Sequence, residues 1–146
     1  MNLSDVLLHP DEYDGNIIIG AWRRLIGVDF SVLHVTVFGN FFLGDSFGGI
    51  WLLDCWTGQL HRVSENYDKY KTLVATDLEF FNSWFLTDLV ASLRDAGMHR
   101  QLGLVYSPFV SPGLGGSLTA ANFSLAPLHA HVECTAAEVL ARLGVR

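Results

Sequence analysis

Apolar residues occur in short runs through the first half of the chain, and glycines and aspartates separate the runs. The stretch NIIIGAWRRLIGVDF (16–30) contains a compact apolar patch that closes at Gly27, which predicts a brief helix. From Leu33 onward come three β-rich pieces, HVTVFGNFFLGDS, IWLLD and QLHRV. They predict a meander of antiparallel strands, in which residues 54–58 form a hairpin loop that needs one residue at positive φ.

In the middle of the chain, apolar residues recur every three or four positions, which is typical of amphipathic helices. A short helix is predicted within residues 64–76, and a longer one from a capping box at Thr76–Glu79 to a left-handed cap at Gly97. The apolar stripe of the longer helix consists of Leu78, Phe81, Phe85, Leu89 and Leu93. Because Phe80, Trp84 and Ala91 lie off this stripe, the helix either packs on two sides within the domain or uses Trp84 in an intermolecular contact.

The last third of the chain predicts two more strands, a loop and a helix. Residues 102–106 form one strand, and the Gly- and Pro-rich residues 108–117 form the loop. This loop resembles a phosphate-binding loop only in its glycines, because it lacks the lysine and no helix follows it. Residues 125–133 alternate as a second strand, and a capping box at Thr135–Glu138 begins a short helix that ends at Gly144.

Length and composition are those of a single globular α+β domain spanning residues 1–146. Hydrophobic residues make up 50% of the chain and charged residues 16%, so a core is readily formed. No apolar run is long enough to cross a bilayer, the N-terminus lacks the pattern of a secretory signal, and Cys55 and Cys134 match no zinc or redox spacing. We therefore expect a cytoplasmic protein.

The chain carries a net charge of -6, and its basic residues are dispersed. This charge argues against direct binding of nucleic acid, which depends on clustered lysines and arginines. An acidic protein is better suited to a basic protein partner, because opposite fields favour association. No membrane partner is expected.

Two carboxylates, Asp45 and Asp54, stand beside glycines at the ends of predicted strands. Paired carboxylates can share acid and base roles in catalysis. Aspartate is also common at such positions because its side chain accepts a hydrogen bond from a nearby backbone N–H. The turn interpretation is favoured, because no nucleophile or base accompanies the pair.

His129 and His131 would lie on the same face of a regular strand and could provide two metal ligands. His61 or Cys134 would have to be the third ligand, although Cys134 would face away in an unbroken strand. A two-histidine spacing without a defined third ligand is a weak signal. A core or interface histidine is the favoured interpretation, and no cofactor is predicted.

The order of these segments resembles a bacterial protein family. The resemblance rests on FGNFFLGDSFGGIWLLDCWTGQL (38–60), FFNSWFLTDLVASLRDAG (80–97), and YSPFVSPGLGG followed by ANFS (106–124). These segments are similar to the C-terminal domain of immunity proteins that protect type VI secretion bacteria from their own DNase effectors, a domain often found beside a GAD-like domain. The resemblance begins near residue 30, and residues 1–30 are expected to form an N-terminal extension with a short helix.

The resemblance implies a cytoplasmic protein without catalytic activity that binds a cognate toxin and blocks it. In this hypothesis acidic groups replace nucleic-acid phosphates on a basic, nuclease-like toxin, and an apolar anchor adds a desolvated contact. The candidate partner-binding residues are Asp11, Glu12, Asp14, Asp45, Asp54, Trp56, Glu65, Asp68 and Trp84. The family pattern supplies no toxin-binding residues of its own.

Two alternatives remain open at this stage. A small metal-dependent or other hydrolase would use His129 and His131 with an acid such as Asp45 or Glu133. A homodimeric interaction module would instead hide its apolar surface against a second copy.

Overall fold

The strands of a computed structural model, which describes residues Met1–Arg146, form two antiparallel sheets. The larger sheet is a meander of four strands in chain order: β1 (Ser31–Val35), β2 (Phe41–Gly44), β3 (Ile50–Leu53) and β4 (Leu60–Ser64). The smaller sheet pairs β5 (Leu104–Pro108) with β6 (Phe123–Pro127). The predicted meander is confirmed.

Helices lie before, between and after the two sheets. They are α1 (Leu3–Val6), α2 (Gly15–Ile18), α3 (Arg23–Ile26), α4 (Tyr67–Thr76), α5 (Leu78–Phe85), α6 (Thr87–Asp95) and α7 (Leu128–Leu143). Together with the sheets they confirm the α+β class. The helix predicted within residues 16–30 is present as α2, a 3-10 turn and α3, and it ends at Gly27. None of the helices has both the length and the apolar character that a bilayer crossing requires.

A hydrophobic core of 30 buried residues connects both sheets to the helices. The ring of Phe42 on β2 lies 5.2 Å from that of Tyr70 on α4 and 5.3 Å from that of Phe85 on α5, measured between centroids. The first thirty residues also take part, since Val6 and Trp22 are fully buried in this core. The N-terminal segment is thus packed against the sheet.

The helix predicted from Thr76 to Gly97 is wrong in two details. Thr76 ends α4, and its hydroxyl donates to the carbonyl of Thr72 (2.6 Å), so Asp77 is the residue that caps α5, through a 2.9 Å bond from the Phe80 N–H. The helix is also broken at Leu86, whose φ of 54° is left-handed. A positive φ in a leucine is unfavourable, so no propensity argument predicts this break.

The apolar stripe of the predicted helix survives the break. Its members Phe81, Phe85, Leu89 and Leu93 are buried, whereas Leu78 in the first turn of α5 is exposed. Phe80 and Trp84 are half-buried and pack against the core, while Ala91 is exposed. Phe80 and Trp84 therefore give the helix a second packed side within the protein.

The strand predicted over residues 125–133 is wrong, and so is the start of the last helix at Thr135. β6 ends at Pro127, and α7 begins at Leu128 and continues through Thr135 to Leu143. Leu128, Val132 and Val139 are buried at helical spacing. The alternation His-Ala-His-Val-Glu is short, and the continuous helical stripe that includes it determines the conformation.

Candidate partner-binding surface

Asp45 organises the β2–β3 turn. Its Oδ1 accepts hydrogen bonds from the N–H groups of Phe47 and Gly49, both 2.8 Å, and its Oδ2 accepts one from the indole of Trp51, also 2.8 Å. The Trp51 bond, the two backbone bonds and the nearby Arg62 charge lower the pKa of Asp45. The turn interpretation is confirmed for this residue.

Asp54 has a similar structural role at the other end of β3. Its Oδ1 accepts from the Trp56 N–H (2.8 Å), and its carbonyl accepts from Gly58 (2.7 Å), whose φ of 77° is the predicted positive angle. Asp45 and Asp54 flank opposite ends of the strand and do not form a carboxylate pair.

Glu12 is almost fully enclosed, with a side chain 2% exposed. Its Oε1 accepts from Arg100 Nη1 (2.6 Å) and from the Gly103 N–H (2.9 Å), and its Oε2 accepts from the His9 N–H (2.7 Å). Burial alone would raise the pKa of Glu12, but the Arg100 guanidinium and the two N–H groups outweigh it and lower the pKa. The carboxylate therefore joins the N-terminal segment to the β5 region and is not presented to a partner.

Asp11 and Asp14, which lie on either side of Glu12 in the sequence, are exposed. Asp11 lies 3.4 Å from the His9 Nδ1, and the Oδ1 of Asp14 caps α2 by accepting from the Asn16 N–H (3.0 Å). Both carboxylates keep a face toward solvent.

Glu65 and Asp68 form an exposed acidic pair after β4. Glu65 lies 3.0 Å from the Nζ of Lys69, and Asp68 lies 3.4 Å from the Nζ of Lys71. Surface pairs of this kind contribute about 0–1 kcal/mol to stability, so both carboxylates can exchange one partner for another at little cost.

The two candidate tryptophans differ in accessibility. Trp84 is half-buried, with its ring 6.0 Å from that of His61 and 5.7 Å from that of Phe80. Trp56 is 7% exposed, and its ring lies edge-on to those of Phe38 and Phe123. Of these two tryptophans, Trp84 offers aromatic surface to a partner, whereas Trp56 belongs to the core.

His131 is buried, and its ring forms hydrogen bonds to two distant parts of the chain. A core position was the favoured interpretation of the two histidines, with metal binding as the alternative. Its Nδ1 lies 2.9 Å from the Ser107 hydroxyl and its Nε2 lies 3.1 Å from the Phe38 carbonyl oxygen. Burial lowers the pKa of His131 to about 4, so the ring is neutral at pH 7, and its Nε2–H donates to Phe38 while Nδ1 accepts from Ser107.

The geometry required by the metal-enzyme alternative is absent. On a helix, residues two apart point about 200° from each other, so the exposed His129 does not share a face with the buried His131. No group of three or more His, Cys, Asp and Glu side chains is arranged to hold a metal ion.

Gly39→Ala is expected to destabilise the protein through the His131 ring. A Cβ built on Gly39 would lie 2.7 Å from both Cδ2 and Nε2 of His131, and Gly39 has a φ of +81°. Overpacking and left-handed strain together predict a loss of about 3 kcal/mol in the free energy of unfolding. Gly48→Ala is the matched control, since its φ is +86° but its Cβ meets no atom. Its loss should be about 1 kcal/mol; equal losses in urea unfolding would contradict the ring contact.

The largest groove, of about 790 Å³, lies between the N-terminal turn and helices α4 and α5. Near its floor His34 Nδ1 lies 2.9 Å from the Tyr70 hydroxyl. Burial lowers the pKa of His34 and raises that of Tyr70, which keeps both groups neutral at pH 7. The groove is therefore mainly apolar, and the His34–Tyr70 pair within it is uncharged.

The β5–β6 loop, residues 109–122, contains most of the predicted loop 108–117 and extends it to the start of β6. It exposes four large apolar side chains to solvent: Phe109 (70%), Leu114 (57%), Val110 (51%) and Leu118 (50%). Their apolar character is visible in the sequence, but their exposure is set by the packing of the loop.

Residues 64–136, half of the chain, match the profile of the family described as T6SS immunity protein Tdi1, C-terminal. The chain belongs to this family of type VI secretion immunity proteins. The matched residues run from the end of β4 to the middle of α7 and include α4, α5, α6 and the whole β5–β6 loop. The segment 38–60, which also carried the resemblance, precedes the match.

The fold is also found among solved structures. The crystal structure of Atu4351 from Agrobacterium tumefaciens aligns with a TM-score of 0.57 and 16% sequence identity, covering 85% of this chain. The chain spans 64% of the length of Atu4351. Among curated proteins, none matches the chain.

Proposed function

We propose that this chain is a non-catalytic immunity protein that acts in the cytoplasm by binding a cognate type VI secretion effector and covering its working surface. The match of residues 64–136 to the immunity family is the observation that carries the proposal. Membership in this immunity family implies that the partner is an effector. The neutral His131 and His34, held within the fold, fit a protein that acts by binding.

The effector is proposed to be a nuclease with a basic substrate-binding face. The net charge of -6 supports this choice, because a nuclease that binds DNA phosphates attracts an acidic partner. The residues proposed to contact it are the exposed Asp11, Asp14, Glu65 and Asp68 and the half-buried Asp45, Asp54 and Trp84. Glu12 and Trp56 are omitted because their side chains are enclosed by the protein itself.

Co-expression tests the function directly. The chain is expressed in a host together with the effector encoded by the neighbouring gene, and growth and chromosomal DNA integrity are followed. We expect the chain to restore growth, to keep the DNA intact and to co-purify with the effector. Toxicity that persists despite a soluble, folded chain would refute the immunity function. If the chain rescues growth but cells that express the effector alone keep their DNA intact, the nuclease target would be refuted.

The charge reversals Glu65→Lys and Asp68→Lys, made together, should slow association with the effector about tenfold at low salt. Steering by charge weakens as salt screens it, so the difference from the unmodified chain should shrink at high ionic strength. The matched control is Asp88→Lys with Asp95→Lys, which makes the same change in net charge at exposed positions of α6. Equal slowing by both pairs in stopped-flow measurements would show an effect of net charge alone.

A further inference from the structure

The β5–β6 loop is unusually long for the connection between two paired antiparallel strands. Pro108 and Phe123 are register partners at the ends of β5 and β6, so residues 109–122 make up the whole connection. Hairpin connections usually have about two to five residues, whereas this one is long enough to contain two 3-10 turns, Pro112–Leu114 and Ala120–Asn122. The length of this loop therefore requires an explanation beyond reversing the chain.

Asn122 braces the loop from within. Its Oδ1 accepts from the Val110 N–H (3.0 Å), and its Nδ2 donates to the carbonyls of Val110 (2.8 Å) and Ser117 (2.9 Å). The Gly116 N–H also donates to the Ser111 carbonyl (3.0 Å). These bonds hold the two arms of the loop together.

The loop is also packed tightly on the body of the protein. Gly113 lies so close to the Trp56 carbonyl oxygen that a Cβ at this position would collide with it, and Arg142 Nη2 donates to the same oxygen (3.0 Å). Only glycine permits this close approach. Trp56 thus supports the loop from below, and a rigid loop loses little conformational entropy when a partner binds.

The exposed surface of the loop is apolar and uncharged. No Asp, Glu, Lys, Arg or His occurs between Arg100 and His129. Phe109, Val110, Leu114 and Leu118 together expose on the order of 400 Å² of side-chain surface, about half of what one side of a standard interface buries. Charge depletion around an aromatic residue is the composition of an interface core.

We infer that the β5–β6 loop is the apolar anchor of this protein, docking into an uncharged apolar pocket on the cognate effector. The inference rests on the proposed function. It assigns to the loop the apolar anchor that the buried Trp56 does not provide. The net charge of -6 decides the kind of partner, and Asp54, two residues before Trp56, adds a carboxylate near the loop, whereas Glu138 pairs with Arg142 (3.6 Å). A basic partner is attracted by these charges, whereas a second copy of an acidic chain is repelled.

The test uses the unmodified chain, the double variant Phe109→Ser/Leu114→Ser and the control Leu78→Ser. Leu78 is 72% exposed in the first turn of α5, outside the β5–β6 loop, and is not among the residues proposed to contact the effector. Each protein is titrated against the purified effector from the neighbouring gene, made inactive by mutation. We expect the double variant to bind at least about thirtyfold more weakly, mainly through faster dissociation and with an unchanged salt dependence. Leu78→Ser should bind like the unmodified chain, and thermal unfolding should confirm that all three are folded.

Each other outcome has a distinct meaning. If the unmodified chain binds and the double variant binds equally well, or if Leu78→Ser weakens binding as much, the anchor is refuted while the proposed function stands. If light scattering shows a dimer that the double variant dissociates, with effector affinity unchanged, the loop is a self-association surface and the inference is overturned. If the unmodified chain does not bind the effector, the proposed function fails first and the inference falls with it.

Discussion

Glu12→Gln should lower the free energy of unfolding by about 3 kcal/mol, because it leaves the largely enclosed Arg100 guanidinium without its carboxylate. Glu12 is enclosed and accepts bonds from Arg100, Gly103 and His9, so the amide can replace neither the charge nor all of the acceptors. Urea unfolding monitored by tryptophan fluorescence measures the loss.

Glu65→Gln provides the matched control for this prediction. It removes the same charge from an ion pair with Lys69 that is exposed on both sides, so we expect a loss below about 1 kcal/mol. Similar losses in the two variants would contradict the structural role of the buried pair. If the Glu12→Gln protein has the stability of the unmodified chain but binds the effector more weakly, Glu12 contacts the effector and has no major role in stability.

Stability should fall by about 2 kcal/mol between pH 7 and pH 5 because of His131. Its pKa is lowered to about 4 in the folded protein, while the unfolded chain has the ordinary value near 6.5. The unfolded state therefore binds more protons in this window, so stability is fully present above pH 6.5 and is lost as the pH falls toward 4. The buried His34, whose pKa is also lowered, acts in the same direction.

Two variants on α7 separate the contribution of His131. His131→Asn should reduce the stability at pH 7 and flatten its dependence on pH between 7 and 5, as measured by urea midpoints. His129→Asn, on the exposed side of the same helix, should leave the dependence unchanged. Glu12 stays ionised in this window because its pKa is lowered, so it does not obscure the comparison. A His131→Asn protein that keeps the full dependence would refute the assignment.

The meander was predictable because its signals are local. Asp45 and Asp54 each satisfy backbone donors within a few residues, and such turns depend on the adjacent sequence alone. The strands between them follow from β-branched and aromatic residues bounded by glycine.

The errors arose where distant contacts decide the conformation. His131 lies on a helix and not on the predicted strand, and the two partners of its ring, Ser107 and the Phe38 carbonyl, are both distant from it in sequence. Leu86 holds a left-handed φ that its own side chain disfavours, which requires support from the surrounding packing.

The candidate surface was predicted only in part for a related reason. Acidic residues are exposed in most contexts, so Asp11, Glu65 and Asp68 lie where their polarity suggests. Glu12 is acidic too, but it is enclosed by its ion pair with Arg100, which is 88 residues away in the sequence. Trp56 is covered by the β5–β6 loop, in which Gly113 permits a close approach.

The clamp between Glu12 and Arg100 also bears on how the protein is made. A ribosome adds about 5–20 residues per second, so Glu12 waits several seconds before its arginine is synthesised. His131, which closes on the Phe38 carbonyl, is made later still. The nascent chain can form the local hairpins of the meander early, but the core that buries its N-terminal residues is completed only after α7 has been synthesised.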